Sequence, residues 1–308
     1  MTSTNNREKR YWFRVLLNLN ASVLPAIFPR VLFCGLLSVI IVFVYQQGIN
    51  VSLPVESGIV PSVVLGLLLV FRTNTAYDRF WEGRKLWGDL INTVRNLART
   101  IWVSVEEQKI EDREEKIIHV RLLVAFAVAT KLHLRSFPVN QELAHLMPPV
   151  YYHKLQQINH PPLEIAFWIS DYLQQQYEKN SLPVHQLIAL FKLLDKLVDI
   201  LGGCERILKT PIPLAYNIHL KQLLLIYCIS LPFQLVDEFQ YFTPIFVVLV
   251  SFTVFGIEAI GIEIENPFGF DPNDLPLDQI CETMEINIED LISLAPHVRH
   301  WQSLDRVS

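Results

Sequence analysis

The chain has 308 residues, a net charge of −5 and 51% hydrophobic composition, with a mean hydropathy of +0.29, a balance too apolar for an ordinary soluble domain. An acidic chain with no zinc-finger or RNA-binding signature excludes a general nucleic-acid surface. The apolar surplus collects in Val31 to Val44, Ile59 to Phe71, Leu220 to Leu235 and Phe242 to Ile262. The last holds a single acid, Glu258, and is long enough to cross a bilayer core of roughly 30 Å, so a multi-pass membrane protein is expected.

Residues 1–30 form a basic arm with Arg7, Lys9, Arg10, Arg14 and Arg30 against the lone acid Glu8, and with Tyr11, Trp12, Phe13 and Phe28 suited to the headgroup level. The positive-inside rule places this end in the cytoplasm, and an even number of spans returns the C-terminus to the same side. The arm is too polar for a cleaved signal peptide. Residues 31–71 hold two spans: the first follows Pro29 and runs to about Tyr45, and QQGINVSLPVES is a short outer loop before the second begins near Ile59. That second span passes without a break into Arg72, Asn74, Asp78, Arg79, Glu82, Arg84 and Lys85, as one helix leaving the membrane.

Residues 72–210 have soluble character and fall inside on this topology. Asn92 to Val105 and Lys116 to Leu134 show helical periodicity on either side of the charged link EEQKIEDREEK. The run IIHVRLLVAFAVA is short for a span and carries His119 and Arg121, so it reads as a helix buried in a cytoplasmic bundle. Residues 136–162, rich in Pro, His and Tyr, read as loop or short helix. From Pro183 a broad stripe including Val184, Leu187, Ile188, Phe191, Leu194, Val198 and Leu201 predicts a helix packed on more than one side and ended by Gly202-Gly203. Residues 211–263 hold the third and fourth spans, joined by QLVDEFQYFTP as an antiparallel hairpin. In the tail, residues 264–308, Pro276 suits a helix start, and Leu277, Ile280, Cys281, Met284, Ile288, Leu291 and Ile292 give a face to dock on the bundle.

No nucleophile elbow, Walker loop, Rossmann fingerprint or HExxH is present, and no nucleophile, base and activator occur together, so no enzyme is expected. The nine histidines never fall as HxxxH or HxH and read as packed or surface residues; the four cysteines, Cys34, Cys204, Cys228 and Cys281, lack a CxxC pair and read as free, small apolar residues. Glu258, Glu263 and Glu265 read as ion-pair partners of Arg72, Arg79 or Arg84, the alternative being a cation or proton site. On the second span Val63, Leu67 and Phe71 recur at four and share an uncharged face with Ile59, Ser62 and Gly66. This is either a helix-packing seam or a lining that gates a conduction path by dewetting. Four spans are too few to enclose a pore in one chain, so the second reading needs a cyclic homo-oligomer.

FRTNTAYDRFWEGRKLW at 71–87 and IENPFGFDPNDLPLD at 264–278 resemble the bestrophin family, particularly its bacterial and plant thylakoid branch, and the four-span spacing agrees across nearly the whole chain. The resemblance implies an all-α membrane protein: four transmembrane helices and a large cytoplasmic helical bundle, assembled as a homopentamer around one axial pore. Its partners are then copies of itself, the lipid bilayer and small inorganic ions, in a bacterial-type plasma membrane or a thylakoid membrane, with no nucleic acid and no cofactor. Carried over by position, the pore neck is Val63, Leu67 and Phe71, and the cytoplasmic aperture lies at Ile188. Animal members carry a calcium clasp after the NPFG motif. This chain keeps Asp271 and Asp274 as calcium candidates, but Phe270, Pro272 and Asn273 interrupt the acidic run, which counts against calcium and leaves Asp274 as a helix cap.

Around Ile188 the segment SLPVHQLIALFK has no acid, only His185 and Lys192, so the acidic ring usual for cations is missing there and monovalent anions such as chloride, nitrate or bicarbonate are expected. A cation-selective channel is the alternative. So is a secondary anion/proton transporter working through Glu258, Glu263 or His185, against which the lack of a visible inverted repeat counts.

Overall fold

The computed structural model describes residues 22–294, and the described residues are helices joined by turns and loops. In chain order these are α1 (Leu24–Gln46), α2 (Glu56–Ser104), α3 (Ile110–Leu134), the short α4 (Gln141–Ala144) and α5 (Pro149–Leu155), α6 (Pro161–Glu178), α7 (Val184–Lys209), α8 (Leu214–Phe239), α9 (Thr243–Glu263) and α10 (Leu277–Leu294). Most of the expected basic arm, and the tail beyond Leu294, lie outside the described residues. The chain divides into two compact units, Met1–Phe80 with Pro211–Asp274, and Trp81–Thr210 with Leu275–Ser308.

In the first unit α9 packs against α1 and α8, and α1 against α8. α1 begins at Leu24, so Pro29 lies inside it rather than before it. Pro25 occupies the first turn, where its missing N–H has no intrahelical partner to lose, and Pro29 forfeits one bond, to the Pro25 carbonyl. α8 and α9 form the expected hairpin through a single turn, Gln240–Phe242, closed by Thr243 Oγ1 donating to the Gln240 carbonyl at 2.7 Å.

Ile27, Cys34, Leu65, Leu69, Leu224 and Phe255 belong to the core of this unit. The same helices expose Phe28, Phe43, Ile245 and Leu249 while burying Ser38, Thr243, Ser251 and Glu258. A helix in water does the reverse. Inside, Ser251 Oγ donates to Val247 O on its own helix at 2.6 Å and Thr243 Oγ1 to the preceding turn, while Ser38 Oγ has no hydrogen-bond partner among the described residues; outside, the surface suits lipid or another apolar protein. Leu24–Gln46, Gly58–Ser104 and Leu214–Glu263, the last comprising α8 and α9, are each long and apolar enough to cross a membrane.

α2 has 49 residues and therefore rises roughly 70 Å, more than twice the roughly 30 Å of a bilayer core. The apolar part from Ile59 to Phe71 fits inside that thickness, and the charged part after it does not. Gly83 and Gly88 leave the helix intact, so the helical stretch expected from Asn92 to Val105 continues it as far as Ser104 and is no separate element.

The second unit is built the ordinary way round. α3 also has the length and composition of a span, but 78% of its apolar window is buried inside the protein, against 22% to 33% for the other candidates. It packs on α6, α7 and α10, and begins within the expected charged link, where Asp112 accepts the Gln108 and Lys109 amides at 3.0 and 2.8 Å. α6 falls partly in a stretch that reads as loop, because Pro161-Pro162 is its first turn. α7 runs through Gly202-Gly203 to Lys209 instead of ending there. A Cβ on Gly203 would stand 3.0 Å from the Leu86 methyls, so this glycine permits close approach of α2 and α7 rather than termination. The apolar face of α10 is buried through Leu277, Cys281, Met284 and Ile288.

The charges buried in this unit or at its helix contacts are paired. Arg121 makes a two-pronged contact with Glu289 at 2.6 and 2.8 Å. The buried Lys131 meets Asp278 at 2.7 Å and also Glu142, and Arg135 reaches Asp278 at 2.8 Å. Burial is the largest influence on the Asp278 and Glu142 carboxylates and raises them, but Lys131, acting with Arg135 on Asp278 and with Asn140 on Glu142, outweighs it and holds both below the ordinary range. Their contribution to stability is therefore complete above an ordinary carboxyl pKa of roughly 4, and is lost as pH falls through the lower folded-state values. Removing both carboxylates (Asp278→Ala with Glu142→Ala) strands a buried ammonium and is expected to cost about 2 kcal/mol, less than a fully enclosed pair because both acids are partly exposed. Lys131→Met should be close to neutral at pH 7 and should flatten the acid dependence of melting in detergent, which fluorescence-monitored unfolding from pH 3 to 7 checks.

Candidate functional site

Val63, Leu67 and Phe71 lie on one face of α2 and are 66%, 54% and 57% exposed. Leu65, Leu69, Arg72 and Ala76 on the other side of the helix are buried. The stripe is thus no packing seam within the described chain. Val60, Val64 and Val70 widen the free arc, and a Cβ placed on Gly66 would meet no atom within 4 Å.

What holds this helix is polar. Arg72, 2% exposed, reaches Glu265 at 3.3 Å and donates to Asn217 Oδ1. A Cβ on Gly261 would stand 3.3 Å from Arg72 Nε, so α9 must offer a small residue there. Glu265 also accepts the Ile212 amide at 3.0 Å, its carbonyl accepts from Arg79 Nε at 3.1 Å, and Tyr216 Oη donates to Leu68 O at 2.8 Å. α2, the start of α8 and the segment after α9 meet at this node.

Of the acids expected to pair with Arg72, Arg79 or Arg84, Glu265 does so. Glu258 instead meets Arg30 of α1 at 3.4 Å, and its Oε1 has no hydrogen-bond partner among the described residues. Glu263 accepts from Asn273 Nδ2 at 2.7 Å. Asp274 Oδ2 accepts the Asp271 amide at 2.8 Å, and a Cβ on Gly269 would come within 2.7 Å of that same oxygen. The carboxylate thus closes the turn after the NPFG segment.

In the second unit Ile188 is exposed on α7, while Leu187, Leu190, Leu194 and Leu197 turn inward. His185 and Lys192 are exposed beside it. The same face continues into Asp195 and Asp199, both exposed and lying beyond the acid-free segment on which the sequence reading rests. Four free, buried cysteines are present as expected.

Among the described residues, one set of three metal-ligating side chains converges: His133, His160 and Glu205. Each histidine Nε2 approaches Glu205 Oε1, at 2.6 Å from His133 and 2.8 Å from His160. Burial raises the Glu205 carboxyl, but contacts from Lys209, His160 and His133 outweigh it and bring it down to about 2. Motif spacing missed this set because its members come from α3, the residue before α6, and α7.

Residues 4–290 match the family described as Bacterial/Fungal Bestrophin protein. The chain belongs to the bestrophin family. A voltage-dependent anion channel-forming protein of Nostoc sp. strain PCC 7120 is 62% identical over 94% of this bestrophin and 95% of the relative. Its counterpart in Synechocystis sp. strain PCC 6803 is 58% identical over the same shares. A crystal structure of a bacterial bestrophin homologue from Klebsiella pneumoniae superposes with a TM-score of 0.80 at 30% identity, covering 87% of this chain and 99% of that one.

The Arg72 node yields a measurable coupling. A double-mutant cycle of Arg72→Ala and Glu265→Gln should give at least about 1 kcal/mol, read from unfolding in detergent. The equivalent cycle on the exposed Arg206–Glu82 pair, 2.6 Å apart, should give less than about 0.5 kcal/mol.

Proposed function

We propose that this bestrophin forms an anion-conducting channel as a ring of five copies in a membrane. Each α2 contributes Val63, Leu67 and Phe71 to a hydrophobic neck, and Ile188 contributes to a second constriction. The observation that carries this reading is the apolar stripe of α2, free of packing within the described protomer although it belongs to a helix anchored by a buried charge. A ring of such stripes closes to ions by excluding water and opens when it widens. The anion-channel names of the Nostoc and Synechocystis relatives support the reading and weigh against an enzyme. The arginine and lysine excess of the N-terminal arm supports cytoplasmic termini, in a bacterial-type plasma membrane or a thylakoid membrane.

The exposed His185 and Lys192 beside Ile188 favour chloride, nitrate or bicarbonate over cations. The cation-selective reading has one observation in its favour, the exposed Asp195 and Asp199 further along the same face. In planar bilayers the purified protein should give unitary steps whose reversal potential follows the anion gradient, and Leu67→Ala with Phe71→Ala should raise open probability several-fold. Unchanged currents from a correctly assembled double variant, or a reversal potential that follows the cation and collapses in Asp195→Asn, would contradict the proposal.

A further inference from the structure

We propose that His133, His160 and Glu205 form a binding site for a divalent transition metal ion of the zinc class. Three features carry this. The first is convergence: the three ligand atoms, from α3, the residue before α6 and α7 of the second unit, lie within 4.8 Å of one another, and the imidazole centroids are 4.6 Å apart. The second is the donor set. Two imidazoles and one carboxylate suit zinc with a fourth position left to water, whereas calcium and magnesium take oxygen ligands. The third is the way the ligands already meet. Both Nε2 atoms point at the same Oε1, an arrangement held by one proton on each ring, and the ion takes the place of those two protons.

Tetrahedral bonds of 2.0–2.1 Å set ligand atoms about 3.3 Å apart, so the carboxylate must back away by about 0.7 Å from His133 and about 0.5 Å from His160. Lys209 holds the other oxygen, Oε2, at 3.1 Å and leaves Oε1 free for the ion. The cost is the long 3.4 Å contact from the Leu163 amide to His160 Nδ1, given up because the proton the ion displaces from Nε2 moves to Nδ1, which then no longer accepts. The ligands are partly exposed, and a cavity of about 240 Å³ lined by His133 and Pro161 opens beside them, giving the ion a route in. The proposal is independent of pore formation.

The test uses the full-length protein in detergent, stripped with a chelator and titrated with Zn²⁺ by calorimetry and with Co²⁺ by visible absorption. Wild type should bind one ion per chain, show the absorption of tetrahedral cobalt and melt at a higher temperature when loaded. His133→Gln, His160→Gln and Glu205→Gln should each weaken binding at least about tenfold. If those variants do not fold, His160→Cys decides, because its thiolate produces a cobalt–sulfur charge-transfer band only when that position ligates the ion. Wild-type binding no tighter than that of a folded His133→Gln/His160→Gln variant, or no such band in His160→Cys, overturns the proposal.

Discussion

A guanidinium held inside an apolar bundle sets the rotation of the helix that carries it. Arg72 is fixed by Glu265 and Asn217, and neighbouring positions on a helix point about 100° apart. With Arg72 turned inward, Leu69, Leu65 and Ala76 follow it into the core, and Phe71, Leu67 and Val63 are carried to the outside. Burying an arginine is expensive unless its charge is met. The surrounding residues answer that demand in kind: Glu265 supplies charge, Asn217 an acceptor and Gly261 the room for the side chain to enter.

The two units apply the same chemistry in opposite senses. In α1, α8 and α9, phenylalanine and isoleucine face outward and serine, threonine and Glu258 face inward, an economical distribution only where the surroundings are apolar. In α3 nearly every apolar side chain is enclosed and its lysines and arginines are matched by Glu107, Glu142, Asp278 and Glu289. Hydropathy alone does not separate α3 from a span, since its apolar window has a value of 1.6, equal to that of α2. Burial and the paired charges separate them.

Much of the fold was legible because periodicity and composition are local. The four apolar runs, the hairpin between α8 and α9, the apolar face of α10 and the stripe on α2 all follow from spacing within one segment. Several of the misreadings share a cause: they concern residues whose role depends on a distant neighbour. Gly203 reads as a helix stop until Leu86 is seen against it. Pro161-Pro162 reads as a loop, although a first helical turn accepts both. Glu258 finds Arg30, more than two hundred positions away, and no spacing rule joins His133 and His160 to Glu205. Asp195 is a simpler case: it lies three residues beyond the acid-free segment around Ile188, and two turns from Ile188 on the same face.

The central claim is that the free face of α2 borders water in a conduction path, whereas the exposed face of α1 does not. Phe33 on α1 is exposed to the same degree as Leu67, 54% in each case, so exposure in the protomer cannot tell them apart. The direct measurement places a single cysteine at either position, Leu67→Cys or Phe33→Cys, in a chain whose native cysteines are replaced, and records current while a charged, water-soluble thiol reagent is applied. Rapid, irreversible change of current for Leu67→Cys with none for Phe33→Cys is the result this account predicts. Indifference of Leu67→Cys to the reagent in a conducting channel would contradict it.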